Sequence, residues 1–140
     1  MPLKSIGNGH RLNERAADAF LKMDAAAKAE LGISLPVNVS TRSLTRQKQL
    51  YAKWVAAGKP AANPVAVPGT SEHDEGNANA LDINQASDAR ILPWLCKNGP
   101  TYGFYFTASN ERHHVAWYDG HPKPVQRYIR HVNNLKAWGY

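Results

Sequence analysis

The sequence predicts an α+β domain in which helices pack on one side of a small antiparallel sheet. Three observations carry that expectation. Residues 14–31 and the stretch from Lys123 onward set apolar residues at helical spacing. Two short segments, Ala80–Asn84 and His114–Tyr118, alternate with period two as half-buried strands do. Between the helical and strand-like parts, residues 59–78 are interrupted by Pro60, Pro64, Pro68, Gly69 and Gly76 and read as loop. At 140 residues the chain suits one domain, 1–140, burying roughly two-thirds of its unfolded surface.

The elements follow in order. Ala16, Phe20, Met23, Ala27 and Leu31 form one stripe of the first helix, with Asn13 as its N-cap and Gly32 ending it. Pro36–Thr41 alternates through Val37 and Val39 as a short strand. A second helix, Leu44 to Ala57, sets Gln47, Leu50, Tyr51, Trp54 and Val55 along one side, closed by Gly58 and Pro60. In Ala80–Asn84, Leu81 and Ile83 share one face while Asp82 points away from it. Ala89–Cys96 reads as a short helix and Tyr102–Phe106 as a strand after the Gly99-Pro100 break. In the last strand Val115 and Trp117 face one way, His114 and Ala116 the other. The closing helix carries Val125, Tyr128, Ile129, Val132 and Leu135 on its inner stripe.

Composition narrows the function classes. Apolar residues make up 43% and charged residues 20%, a globular balance. No apolar run is long enough to span a membrane, and Met1–His10 holds Lys4 but no apolar core, so no classical signal peptide is visible. The single cysteine, Cys96, excludes an intrachain disulfide and reads as a small buried hydrophobe. Seventeen Lys and Arg against eleven Asp and Glu give +6. That charge suits a polyanionic partner, or simply a soluble surface. No basic run, helix-turn-helix or paired-cysteine finger points to nucleic acid.

The residues that carry chemistry are scattered: Ser71-Glu72-His73, then Asp82, then Glu111-Arg112-His113-His114. Two imidazoles and one carboxylate are the ligand set that holds a catalytic Zn²⁺ with a fourth position open. Glu111, three residues before His114, is placed to act as general base. A 20-residue loop inside a compact domain is functional or disordered, and the presence of Ser71 and His73 favours function.

In this arrangement the chain resembles the VanY-like zinc D-alanyl-D-alanine carboxypeptidases and L-alanyl-D-glutamate endopeptidases, which include phage endolysins. The family motif S-x-H-x-x-G-x-A-x-D begins as Ser71-Glu72-His73-Asp74-Glu75-Gly76 and ends as Ala80-Leu81-Asp82-Ile83; E-x-W-H appears as Glu111-Arg112-His113-His114. Arg42 stands before a Q-x-x-L-Y segment, Gln47 to Tyr51. The similarity spans about residues 36–118 and implies a Hedgehog/DD-peptidase fold. Two departures stand out. His73 and Asp82 are nine residues apart where the family has seven, so Asn77-Ala78-Asn79 lengthens the loop; counting back from Asp82 would put Glu75 in place of His73. His113 replaces the usual Trp and competes with His114 as a ligand, although strand alternation turns it away.

The resemblance implies His73, Asp82 and His114 as Zn²⁺ ligands, Glu111 as the base, and Arg42 and Ser71 as substrate-binding residues. Arg42 as an ordinary surface cation, and Tyr102, Tyr105 and Trp117 as either cleft or core, stay open. The expected activity is a zinc metallopeptidase, a hydrolase of the peptide stems of bacterial peptidoglycan. An endolysin-like L-Ala–D-Glu endopeptidase is favoured, with a D-Ala–D-Ala carboxypeptidase or a non-catalytic cell-wall-binding module as alternatives. The endolysin reading brings further expectations: a monomer without nucleic-acid partner, held in the host cytoplasm, then released to the cell wall or periplasm for cell-wall degradation and bacteriolysis.

Overall fold

The computed structural model describes residues 2–62, 64–118 and 123–140, with the backbone alone for 123–128. The chain begins with a hairpin, β1 (Leu3–Gly7) and β2 (His10–Asn13), and continues into α1 (Glu14–Leu31). There follow β3 (Val37–Val39), α2 (Leu44–Ala56), β4 (Ala80–Ile83), α3 (Ile91–Asn98), β5 (Phe104–Tyr105), β6 (His114–Trp117) and α4 (Lys123–Ala137). The main sheet has the order β3-β4-β6-β5 with every pair antiparallel. The α+β architecture expected from the sequence is the one observed.

The core lies between that sheet and α1 and α3. Leu81, Ile83 and Val115 meet Phe20, Met23, Ile91 and Leu95, all buried, and Phe20 sets its edge against Phe104 at 6.4 Å. Full burial of such side chains contributes about 1.5–3 kcal/mol each. The bounds of α1 match those expected. Asn13 caps it by accepting from Ala16 N–H at 2.9 Å, and Gly32 ends it in the left-handed region. Cys96 is a buried thiol, pushed up by burial to about 11.

Several elements depart from the expectation. Residues 3–13 form a hairpin whose turn, Gly7-Asn8-Gly9, has positive φ at all three residues. The Asn-Gly pair is itself the hairpin signal. The strand expected from Tyr102 starts only at Phe104, because Gly99–Tyr102 is a 3₁₀ turn ending on Gly103. Gly103 has φ +85°, and a Cβ there would meet Trp117 Nε1 at 2.8 Å. The short helix lies two residues later than expected, Ile91–Asn98, with Pro93 in its first turn, where no helical donor is lost.

The stripes of α2 and α4 differ in part, at Val55 and Ile129. Along α2 the expected side holds at Gln47, which is buried, and at Leu50, Tyr51 and Trp54, which are half-buried, while Val55 is 42% exposed. This helix faces the segment after it: Gln47 donates to Ala66 C=O at 2.7 Å and Trp54 to Pro60 C=O at 2.9 Å. On α4, Ile129 is 53% exposed, while Val125 and Tyr128 lie outside the described side chains. Leu135 packs inward as expected and Val132 is half-buried, and they are joined by His131, Asn134 and Trp138, with 131, 134, 135 and 138 at helical spacing. The apolar pattern misdirects because two inward residues are polar: Asn134 donates to Phe106 C=O at 2.9 Å, and His131 bridges Phe106 N–H and Cys96 C=O at 3.0 Å each.

Candidate metal centre

The ladder between β4 and β6 sets Asp82 opposite His114 and Leu81 opposite Val115. Side chains of directly paired residues project from the same face. The face opposite the core therefore presents a carboxylate and an imidazole side by side. His73 comes from the loop, and three sets of bonds place it there. Its Nδ1 donates to Ser40 C=O at 2.8 Å, its N–H to Ser71 Oγ at 3.1 Å, and its C=O accepts from Arg42 N–H at 2.6 Å. The extra length of this loop is taken up as a turn, with Asn77 and Ala78 N–H both bonded to Asp74 C=O. Ala78 has φ 47° and is buried, held by the Asn13 amide, which donates to the carbonyls of Asn77 and Ala78 at 3.2 Å.

Three ligand-type atoms converge. His73 Nε2 is 3.1 Å from Asp82 Oδ1 and 3.2 Å from His114 Nδ1, and His114 Nδ1 is 3.2 Å from Asp82 Oδ1. Among the described residues this is the sole cluster able to hold a metal ion. Donor bonds of about 2.0–2.1 Å in tetrahedral array imply edges of about 3.3 Å, so the triangle has the size that Zn²⁺ needs. Its chemistry fits as well. The Ser40 carbonyl only accepts, so His73 carries its proton on Nδ1. The far nitrogen of His114, Nε2, faces Glu72 Oε1 at 2.9 Å, so neutral His114 carries its proton there. Two lone pairs and a carboxylate oxygen then face one another, which is repulsive without a cation between them.

The electrostatics agree. Burial disfavours the His114 imidazolium, yet hydrogen bonds to Asp82 and Glu72 outweigh it and raise its pKa to about 9. Burial likewise opposes the Glu72 carboxylate, but His114 and Tyr118 bring it down to about 2; Asp82 is held below the carboxylate range by His114 and His73. The centre thus holds positive charge either as a proton or as a metal ion, and the two compete.

The six expected site residues line one cleft of ≈ 1140 Å³: Arg42, Ser71, His73, Asp82, Glu111 and His114. Glu111 Oε2 is 3.9 Å from His114 Nδ1 and its side chain is 41% exposed, so it stands beside the ligand triangle without joining it. Arg42 donates to Gln47 Oε1 at 2.8 Å, a bond that fixes one side of its guanidinium. His113 is exposed and outside the cluster, and Glu75 is exposed near the start of α2, its Oε1 3.4 Å from Leu44 N. Tyr102, Tyr105 and Trp117 are not among the residues lining the cleft; Tyr118 and Arg130 are. Sequence reasoning gave no part to Glu72, Thr107, Tyr118 or Ser40. Only proximity to the S-x-H motif marks Glu72, and nothing local marks the others.

The match to the family model for VanY, D-alanyl-D-alanine carboxypeptidase, covers residues 9–123. The Bacillus subtilis protein YodJ, named for carboxypeptidase activity, is 31% identical over 79% of this chain and 44% of its own length. An Enterococcus faecalis D-alanyl-D-alanine carboxypeptidase is 30% identical over 73% of this chain and 42% of its own. The chain thus spans less than half the length of these curated relatives. A crystal structure of the vancomycin-resistance D,D-pentapeptidase VanY from a VanB-type cassette, in complex with Zn(II), superposes with TM-score 0.65 at 27% identity, covering 84% of this chain and 78% of that one.

Proposed function

The chain belongs to the VanY family, and from that premise we propose that it is a zinc-dependent carboxypeptidase removing the terminal D-alanine from peptidoglycan stem peptides. The observation that carries this reading is the convergence of His73 Nε2, Asp82 Oδ1 and His114 Nδ1, with Glu111 beside them in an open cleft. The Enterococcus relative and the family model both bear the D-alanyl-D-alanine carboxypeptidase name. They support this activity over the L-Ala–D-Glu endopeptidase and endolysin reading preferred from sequence.

His73, Asp82 and His114 would hold the ion, which supplies Lewis acidity to water and to the scissile carbonyl when bound. Glu111 takes a proton from the attacking water as its oxygen bonds to the carbonyl carbon. It delivers that proton to the departing D-alanine nitrogen as the C–N bond breaks. Arg42 offers a guanidinium to the substrate's terminal carboxylate, a match of fork to fork. The Ser71 hydroxyl oxygen already accepts from His73 N–H, leaving its proton for a substrate carbonyl.

The test incubates the zinc-loaded protein with stem peptides ending in D-Ala–D-Ala, free or amidated at the C-terminus, and with purified sacculi. Free D-alanine should appear from the free peptide and fall sharply with the amide. New D-Glu amino termini without D-alanine would establish the endopeptidase instead. Zinc and wall binding without release of either product would make the chain a non-catalytic module.

A further inference from the structure

Resting on that zinc reading, we propose that Glu72 is a positioning residue: its carboxylate selects which nitrogen of His114 faces the metal and locks the ring there. The ladder fixes the Cα and Cβ of His114 but not the rotation of its ring. A half-turn about the Cβ–Cγ bond would replace Nδ1 with a carbon at the corner of the ligand triangle, and the backbone would not notice. What distinguishes the two orientations is the far edge of the ring. In the observed one Nε2 meets Glu72 Oε1 at 2.9 Å; in the flipped one a C–H would face that carboxylate. The same bond keeps the proton on Nε2, so Nδ1 presents its lone pair towards His73 and Asp82.

Glu72 is itself held. Thr107 Oγ1 donates to Oε1 at 3.0 Å and the Tyr118 hydroxyl donates to Oε2, so each oxygen has a hydroxyl partner besides the imidazole. The carboxylate lies on the side of His114 away from the triangle and takes no corner of it. Its backbone carbonyl accepts from Asn79 N–H at 3.3 Å. Glu72 therefore ties the loop that carries His73 to the strand that carries His114. A partner of this kind on a metal-bound histidine is worth about 10–100-fold in metal affinity or activity.

The experiment measures the zinc dissociation constant of the full chain by competition with a chromophoric chelator, together with the absorption spectrum of the Co²⁺ form. Wild type, Glu72→Gln and Glu72→Ala are compared, with circular dichroism checking the fold. Glu72→Ala should bind zinc about 10–100-fold more weakly and shift the Co²⁺ bands. Glu72→Gln, which keeps an acceptor for Nε2–H, should fall between it and wild type. Tyr118→Phe, which frees one carboxylate oxygen, should shift the same way by less. An unchanged zinc constant and unchanged Co²⁺ bands in folded Glu72→Ala would overturn the inference and leave the zinc reading intact. So would a rise in KM for D-Ala–D-Ala peptide with metal affinity unaltered, since Glu72 would then serve substrate. If Glu72→Ala does not fold, the Glu72→Gln and Tyr118→Phe pair decides, and both matching wild type overturns it. Wild type that takes up no zinc at all overturns the underlying reading and this inference with it.

Discussion

His114 and His131 are both buried in this small domain, 6% and 2% exposed, and they are opposites. His114 stands in the cleft between two carboxylates and a second imidazole, and its pKa is raised to about 9. His131 stands in the core, its ring stacked on Phe106 and edge-on to Tyr105. Burial lowers its pKa, only partly offset by the carbonyl of Cys96. The residue type is the same; what each nitrogen meets decides the role. His131 has one nitrogen on an N–H and the other on a C=O, so its neutral tautomer is complete and nothing is left to bind. His114 has an acceptor at its far nitrogen and lone pairs crowding its near one, which leaves a place for a cation.

The largest expected effect tests that division directly. His114→Ala should lose bound zinc and all turnover, whereas a His131→Leu protein that stays folded should keep one zinc per chain. Elemental analysis of both variants checks it, with His73→Ala and Asp82→Ala expected to follow His114→Ala. Zinc retained in His114→Ala but lost in His113→Ala would break the ligand assignment. Next in size is the separation of ligand from base on the cleft side. Glu111→Ala should keep its zinc and its fold yet lose about 10²–10⁴-fold in turnover, the usual contribution of a general base. Equal release of D-alanine by wild type and this variant would remove Glu111 from the mechanism.

How far the sequence revealed these two environments depends on what each rests on. Asp82 and His114 are legible because strand alternation is local: each is a polar residue on a short apolar strand, and the ladder pairs the two. His73 is legible only through its motif. The nine-residue spacing admits Glu75 as well, and the choice is made by Ser40, Arg42 and Asn13, which are distant in sequence. Glu72 lies 35, 42 and 46 residues from its partners Thr107, His114 and Tyr118, a distance that no local pattern spans. On the core side, His131 is illegible because helical periodicity counts apolar residues, and here the inward positions include a histidine and an asparagine that satisfy the end of a strand. The hairpin of residues 3–13 is the other kind of miss: its Asn8-Gly9 signal was present and local.

A middle-sized effect sharpens the core half of the comparison. His131→Leu keeps the volume apolar but leaves Phe106 N–H and Cys96 C=O without their partner. Each unpaired buried group costs about 1–3 kcal/mol, so a loss on the order of 3 kcal/mol is expected in urea unfolding. His131→Gln, which offers both an acceptor and a donor, should recover part of it. A His131→Leu protein as stable as wild type would mean that packing on Phe106, not hydrogen bonding, is what this position supplies.

The smallest effect is the pH dependence of stability in the metal-free protein, where the two histidines act with opposite sign. For His114 the folded pKa, about 9, lies above the ordinary value of 6.5. The folded state then binds the proton more tightly, so its contribution is complete below pH 6.5 and is lost as pH rises towards 9. For His131 the folded pKa lies below 6.5. Its contribution is complete above that value and is lost as pH falls through the folded pKa, because the unfolded chain takes up a proton that the core refuses. The depressed carboxylates, Glu72 and Asp82, act only below their ordinary values of 4.5 and 3.8, outside the interval from pH 5 to 9. Unfolding free energy measured in chelator across it should peak near pH 6.5, each limb limited to about 1.4 kcal/mol per pH unit for one proton. His131→Leu should flatten the acid limb alone, and saturating zinc should abolish the fall on the alkaline limb, since a metal-bound His114 has no proton to lose. An acid limb that persists in His131→Leu would assign it to other groups and dissolve the contrast between the two sites.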